Sequence, residues 1–178
     1  MTTLSDKALG AVLSVGLLLG LSGCQQTEID VGPNWDALSR LDPAQSGFDI
    51  TGKASTPVKL GERIEFEVTT PEPGRVWVLS IDGDDKLDLI YPNAMQRDNQ
   101  VKAGDTVRIP PEGADWGIEA VEPTGKNLVA FLVTETDVDL ERALDDARDE
   151  RDGEVVMQAI ADRRYWGGMT QVVEIEAP

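Results

Sequence analysis

Carboxylates are the only reactive side chains that this sequence offers in number. It has 33 Asp and Glu against 16 Lys and Arg, a single cysteine and no histidine. A Ser-His-Asp triad, a Cys-His dyad and a Cys/His zinc site therefore cannot be built from this chain alone. Paired carboxylates of the glycosidase kind remain, but none stands in a distinguishing motif. We expect no catalytic activity, and a small carboxylate-based hydrolase is the least favoured function.

One acidic cluster lies in and just after a short turn and holds Asp82, Asp84, Asp85 and Asp88. A calcium loop needs about six oxygen ligands, and in the EF-hand also a central glycine and a distal glutamate. This stretch lacks that pattern. It is more typical of a tight hairpin turn in which Gly83 supplies a positive φ. Weak surface binding of calcium stays open, and we predict no metal or cofactor site.

The cysteine, Cys24, follows an N-terminal segment with the layout of a secretory signal peptide. Lys7 precedes an apolar run that is too short for a membrane span, and the run ends Leu-Ser-Gly-Cys. This ending resembles the bacterial lipobox. The resemblance implies a signal peptide over residues 1–23 and acylation of Cys24, with palmitate among the acyl groups, as the membrane anchor. Gln25 after the cysteine favours the outer membrane, facing the periplasm.

Residues 24–59 then read as the lipidated cysteine and a tether rich in small and polar residues. Within it, Trp35, Leu38 and Leu41 recur at helical spacing. We expect this short helix to dock on the folded domain. Recognition of a partner by the helix is the alternative.

Residues 60–178 are predicted to be an antiparallel β-sandwich, Ig-like, with about seven strands. Short alternating or apolar runs are separated by Gly, Pro and Asp turns, and the runs at Val76–Ile81 and Leu128–Val133 are apolar on both faces, as central strands are. The period changes over residues 137–160, which predicts a short helical insertion before the last strand, interrupted at Gly153.

The hairpin region resembles a known bacterial family, the domain of unknown function 4384 (DUF4384). The matching features are the apolar strand and Asp-Gly turn, the stretch Leu87–Asn93 with its Tyr-Pro-Asn, Asn99, and the Val-Lys-Ala-Gly turn before Ile109. The resemblance covers about residues 61–135. It implies a β-rich accessory domain of secreted or membrane-tethered proteins and assigns no catalytic residue.

Binding is the function that these features favour. The formal net charge of −17 argues against nucleic acid as a partner. We expect a cell-envelope or secretion-system protein as the partner, with a glycan- or peptidoglycan-binding module as the alternative. The candidate contacts are Tyr91, Asn93, Trp116, Tyr165 and Trp166, of which Tyr165 and Trp166 are expected to be exposed.

Overall fold

The computed structural model describes residues 32–147, 152–161 and 163–178. The predicted signal peptide and Cys24 lie outside these residues. Within them the fold is mainly β, as predicted, with eleven strands rather than about seven. The strands are β1 (Thr51–Ala54), β2 (Val58–Lys59), β3 (Arg63–Ile64), β4 (Phe66–Thr69), β5 (Gly74–Ile81), β6 (Leu87–Tyr91), β7 (Gln100–Val101), β8 (Thr106–Ile109), β9 (Ile118–Glu119), β10 (Gly125–Thr134) and β11 (Trp166–Glu176). The helices are α1 (Pro33–Ser39), α2 (Leu140–Ala147) and α3 (Asp152–Ala161).

The strands of the described part form one large sheet and two small ones. The central sheet has the order β2-β11-β10-β5-β6, and β7 pairs with the other end of β5. Its pairs are antiparallel except for β2 against β11. The second sheet is β1-β4-β8, and β3 with β9 makes the third. The extra strands are short segments of two to four residues, which hydrophobic alternation is too brief to reveal.

The two long central strands are covered on both faces, as their apolar sequences predict. Because successive side chains of a strand point to opposite faces, Val76 and Val78 of β5 lie on one side and Trp77 and Leu79 on the other. The first side faces the small sheets and forms the sandwich interior. The second side is covered by the helices, so the central sheet is the middle layer of three.

The helical layer includes the segment that the sequence assigns to the tether. Trp35, Leu38 and Leu41 are buried against the central sheet together with residues of α3, which confirms docking. Strands β1 and β2 also lie before residue 60 and pair with β4 and β11. The folded unit therefore includes residues 33–59, which lie before the predicted boundary at 60, because the small sheet and the helical layer need these residues to close.

The N-terminus of α1 is bound by Asp85, which lies 51 residues after Asn34 in the chain. Its carboxylate accepts hydrogen bonds from the backbone N–H groups of Asn34 (2.9 Å) and Trp35 (2.8 Å). The Asn34 side chain in turn donates to the Asp85 carbonyl at 2.9 Å. Unpaired N–H groups at a helix start are stabilised by such an acceptor. The positive φ of the turn also falls on Asp85 (62°) rather than on the predicted Gly83, because the loop closes between Asp82 and Lys86.

Gly153 was predicted to interrupt the helical insertion, but it lies inside α3. Its N–H donates to Asn34 Oδ1 at 2.9 Å, and a Cβ placed on it would lie 2.8 Å from the Asn34 carbonyl oxygen. The glycine is therefore required by the close approach of α3 to α1. Asp139 caps the start of helix α2, since its Oδ1 accepts from the N–H of Arg142 at 3.1 Å.

Candidate binding site

A cavity of about 160 Å³ opens at the end of the sandwich. It lies between the inner face of the central sheet and the small β3–β9 sheet. Its walls are mostly apolar and come from seven strands, the β5–β6 turn and the β9–β10 loop. The apolar wall residues include Ile64, Phe66, Ile90, Ile118, Val129, Val173 and Ile175. An apolar concavity with a few polar groups is the usual form of a ligand site, and we call it the end cavity.

Two uncharged polar residues of the described part of the chain line the end cavity, Ser80, which is half-buried, and Asn127, which is buried. Asn127 occupies the third position of β10 opposite Val173, and its residue surface is only 6% exposed. Its Nδ2 has no hydrogen-bond partner among the described residues. Two other side-chain atoms share that state, Arg75 Nε and Gln96 Oε1, but both belong to half-buried residues. An unpaired buried amide is unfavourable by about 1–3 kcal/mol, so Asn127 marks a place where a bound acceptor would be stabilised.

The mouth of the end cavity is acidic. The lining includes the carboxylates of Asp82, Asp88, Glu119 and Glu122, and Lys86 is the one cation that the described residues place there. Lys86 Nζ lies 3.1 Å from Asp88 Oδ1, and both side chains are exposed. The hydrogen bond to Asp88, and then its charge, raise the pKa of Lys86. The mouth therefore favours neutral or cationic groups and repels anions.

Three of the four carboxylates in the acidic turn next to the mouth bind groups of the protein itself. Asp82 Oδ1 accepts from the backbone N–H groups of Asp84 and Lys86, each at 2.9 Å. Asp85 is occupied by the start of α1, and Asp88 pairs with Lys86. The described residues contain no group of three or more His, Cys, Asp or Glu side chains placed to hold a metal ion.

Two of the predicted contact residues are buried and serve the fold. Tyr91 is 1% exposed, its hydroxyl donates to the Asp98 carbonyl at 2.6 Å, and burial followed by the charge of Asp98 raises its pKa to about 12. Trp166 is 7% exposed and packs in the helical layer. The expectation that Trp166 is exposed was wrong. It opens β11 at a position paired with Thr134, where the helical layer covers it.

The other three predicted contacts reach the surface at separate places. Asn93 shapes the turn after β6, since its Oδ1 accepts from the N–H groups of Met95 and Gln96, each at 2.9 Å. Tyr165 is 40% exposed, as expected, and its ring lies 5.3 Å from that of Phe48. Trp116 is half-buried beside the small sheets. It lines an open groove whose walls are more polar than those of the end cavity. The structure does not bring these residues together into one site.

Sequence reasoning missed the end cavity and Asn127. The sequence places Asn127 in the turn before an apolar strand, whereas β10 already begins at Gly125. Counting by twos from Val129 and Phe131 back to Asn127 would have put its side chain on the sandwich face. The walls themselves come from strands far apart in the chain, so no local pattern predicts the cavity.

The fold and the end cavity define the class of this protein: a small β-sandwich domain whose middle sheet is backed by helices. Residues 57–137 match the model of the family described as Domain of unknown function (DUF4384), so the chain carries a domain of that family. The match runs from just before β2 to the loop after β10, which agrees with the resemblance over residues 61–135. Searches of curated proteins and of solved structures gave no match. Within the described ranges, no helix is long and apolar enough to span a membrane.

Proposed function

We propose that this protein is a lipid-anchored, non-catalytic binding protein of the bacterial cell envelope. Cys24 anchors it, in the outer membrane and facing the periplasm, and its β-sandwich domain recognises a protein of an envelope or secretion machine. The observation that supports recognition is the end cavity, because apolar walls, an unpaired amide and an acidic mouth suit a bound group. The Leu-Ser-Gly-Cys ending of the N-terminal apolar run supports the anchor.

The anchor is tested by membrane fractionation of the full chain and of its Cys24→Ser variant. We expect the wild-type protein in the outer-membrane fraction and the variant in soluble or precursor form. A Cys24→Ser protein that stays in the membrane fraction would refute lipid anchoring at this residue.

Recognition through the end cavity is tested by site-specific photo-cross-linking in intact cells. Val121 lines the mouth of the cavity and is 65% exposed, and Val172 is an exposed valine (45%) on β11 that does not line the cavity. A photoreactive residue at 121 should give discrete protein adducts, and one at 172 should not. Equal adducts from both positions, or none from 121, would count against the proposal.

The groove at Trp116 favours a second candidate, glycan recognition. The half-buried indole lies beside charged side chains that include Arg63, Glu65 and Arg108, and sugars bind where an aromatic surface adjoins hydrogen-bonding groups. Retention on purified peptidoglycan that is lost in Trp116→Ala would support this candidate. Trp166→Ala would not test it, because Trp166 is buried in the helical layer.

A further inference from the structure

Strand β6 ends the central sheet and leaves one edge without a neighbouring strand in the part of the chain that the structure describes. Such an edge carries backbone groups that an extended segment of another protein can pair with. Leu89 and Ile90 are half-buried in β6, and Asp88 between Leu87 and Leu89 is exposed. The edge is therefore accessible along the middle of the strand.

Depressions flank β6 on both faces. On the sandwich side lies the end cavity, to which Asp88 and Ile90 contribute. On the helical side lies an open groove to which Leu87 and Leu89 contribute, together with Leu144 of α2. Because side chains of a strand alternate between faces, a strand added beside β6 would send alternate side chains into the two depressions.

Both depressions are negatively charged. Among the residues that the structure describes, four carboxylates and no cation line the groove on the helical side, and four carboxylates and Lys86 lie at the mouth of the end cavity. The groove carboxylates are those of Asp88, Glu141, Asp145 and Asp152. A segment rich in lysine or arginine would therefore complement the charge of this edge. A second copy of the chain would bring the same acidic edge, and like charges repel.

We propose that β6 binds an extended basic segment of a partner protein as an added strand, with one side chain in the end cavity. The size of the cavity, about 160 Å³, suits a single large side chain. The walls of the end cavity are mostly apolar, so a large aliphatic side chain fits. This inference rests on the proposed function, since it specifies the partner of the same site.

The test uses the full-length chain and a capped nine-residue peptide that alternates lysine and valine around a central leucine. We expect binding that slows amide hydrogen exchange over residues 87–91. An analogue with N-methyl groups on alternate amides keeps the charge and side chains but cannot pair as a strand, so we expect it to bind at least tenfold more weakly.

Charge reversal beside β6 supplies the second readout. Glu119→Lys with Glu141→Lys changes one exposed carboxylate on each side of the strand, and Asp49→Lys with Glu65→Lys makes the same charge change at exposed positions outside both depressions. The first pair should weaken peptide binding at least tenfold more than the second. Equal losses, equal binding of the N-methylated peptide, unchanged exchange at 87–91, or no binding would each overturn the proposal. Cross-linking from position 121 that persists in those cases would leave the proposed function standing and refute strand addition alone.

Discussion

Replacing Asn127 with leucine should stabilise the protein, which is unusual for a substitution at a buried polar residue. Leucine has the same number and branching of side-chain heavy atoms as asparagine, and the open cavity beside this position has room for its larger methyl groups. The substitution removes a buried Nδ2 that has no partner among the described residues. If the amide serves to bind a ligand, its unpaired donor lowers the stability of the folded state when no ligand is bound.

The expected gain in the free energy of unfolding follows from the loss of the unpaired donor, and Asn99 provides a matched control. Removing an unsatisfied buried amide is worth about 1–3 kcal/mol, and the added apolar contact contributes in the same direction. Asn99 is equally buried, at 6% exposure, but its Nδ2 donates to the Val76 carbonyl at 3.0 Å. Asn99→Leu removes this hydrogen bond and leaves the Val76 carbonyl without its side-chain donor, so it should lower the free energy of unfolding by about 1–3 kcal/mol.

Urea denaturation of both variants beside the wild type measures the difference. The free energy of unfolding should rise for Asn127→Leu and fall for Asn99→Leu. In thermal scans, we expect an increase in Tm of about 2–4 °C per kcal/mol for Asn127→Leu. If Asn127→Leu loses as much stability as Asn99→Leu, the amide is paired in solution, for instance by ordered water, and the reasoning about the cavity is refuted.

Three further predictions concern the elements around the site. Asp85→Ala removes the acceptor at the start of α1 and should lower the free energy of unfolding by about 1–2 kcal/mol, whereas Asp84→Ala should change it little, as denaturant titration would show. Gly153→Ala should destabilise by about 1–3 kcal/mol, because the new Cβ presses on α1; stability equal to wild type would contradict the close approach seen here. The pKa of Tyr91 is raised to about 12 from 10.0, so the folded state holds that proton more tightly than the unfolded state and stability should fall as pH rises above 10. Absorbance titration of Tyr165→Phe, which leaves Tyr91 as the tyrosine observed, should give a midpoint well above 10; a midpoint near 10 would show that the hydroxyl is exposed.

Much of the fold could be predicted from the sequence, because its signals are local. The apolar runs of β5 and β10 predict central strands covered on both faces, and the change of period after residue 137 predicts the helical insertion. The spacing of Trp35, Leu38 and Leu41 predicts a docked helix. Strands of two residues, such as β2 and β7, carry no detectable period and were not predicted.

The candidate site could not be predicted in the same way. Tyr91 and Trp166 were selected because aromatic side chains often form contacts, but burial depends on what packs over them. Asn127 was not selected, since an asparagine before a strand is most often a turn residue. Whether an amide has a partner depends on atoms from distant segments, which a sequence pattern does not specify.

The sequence by itself determined the class of fold, the family, the acidic charge and the absence of histidine chemistry, because each follows from composition or from patterns within a few residues. Only the tertiary structure decided that α1 forms part of the folded unit, that Asp85 binds the start of α1, and that Asn127 Nδ2 has no partner among the described residues in a cavity near the open edge of β6. These features arise where segments up to 120 residues apart meet, as at Gly153 and Asn34, which are 119 apart. Their geometry depends on packing between layers, and no local propensity contains it.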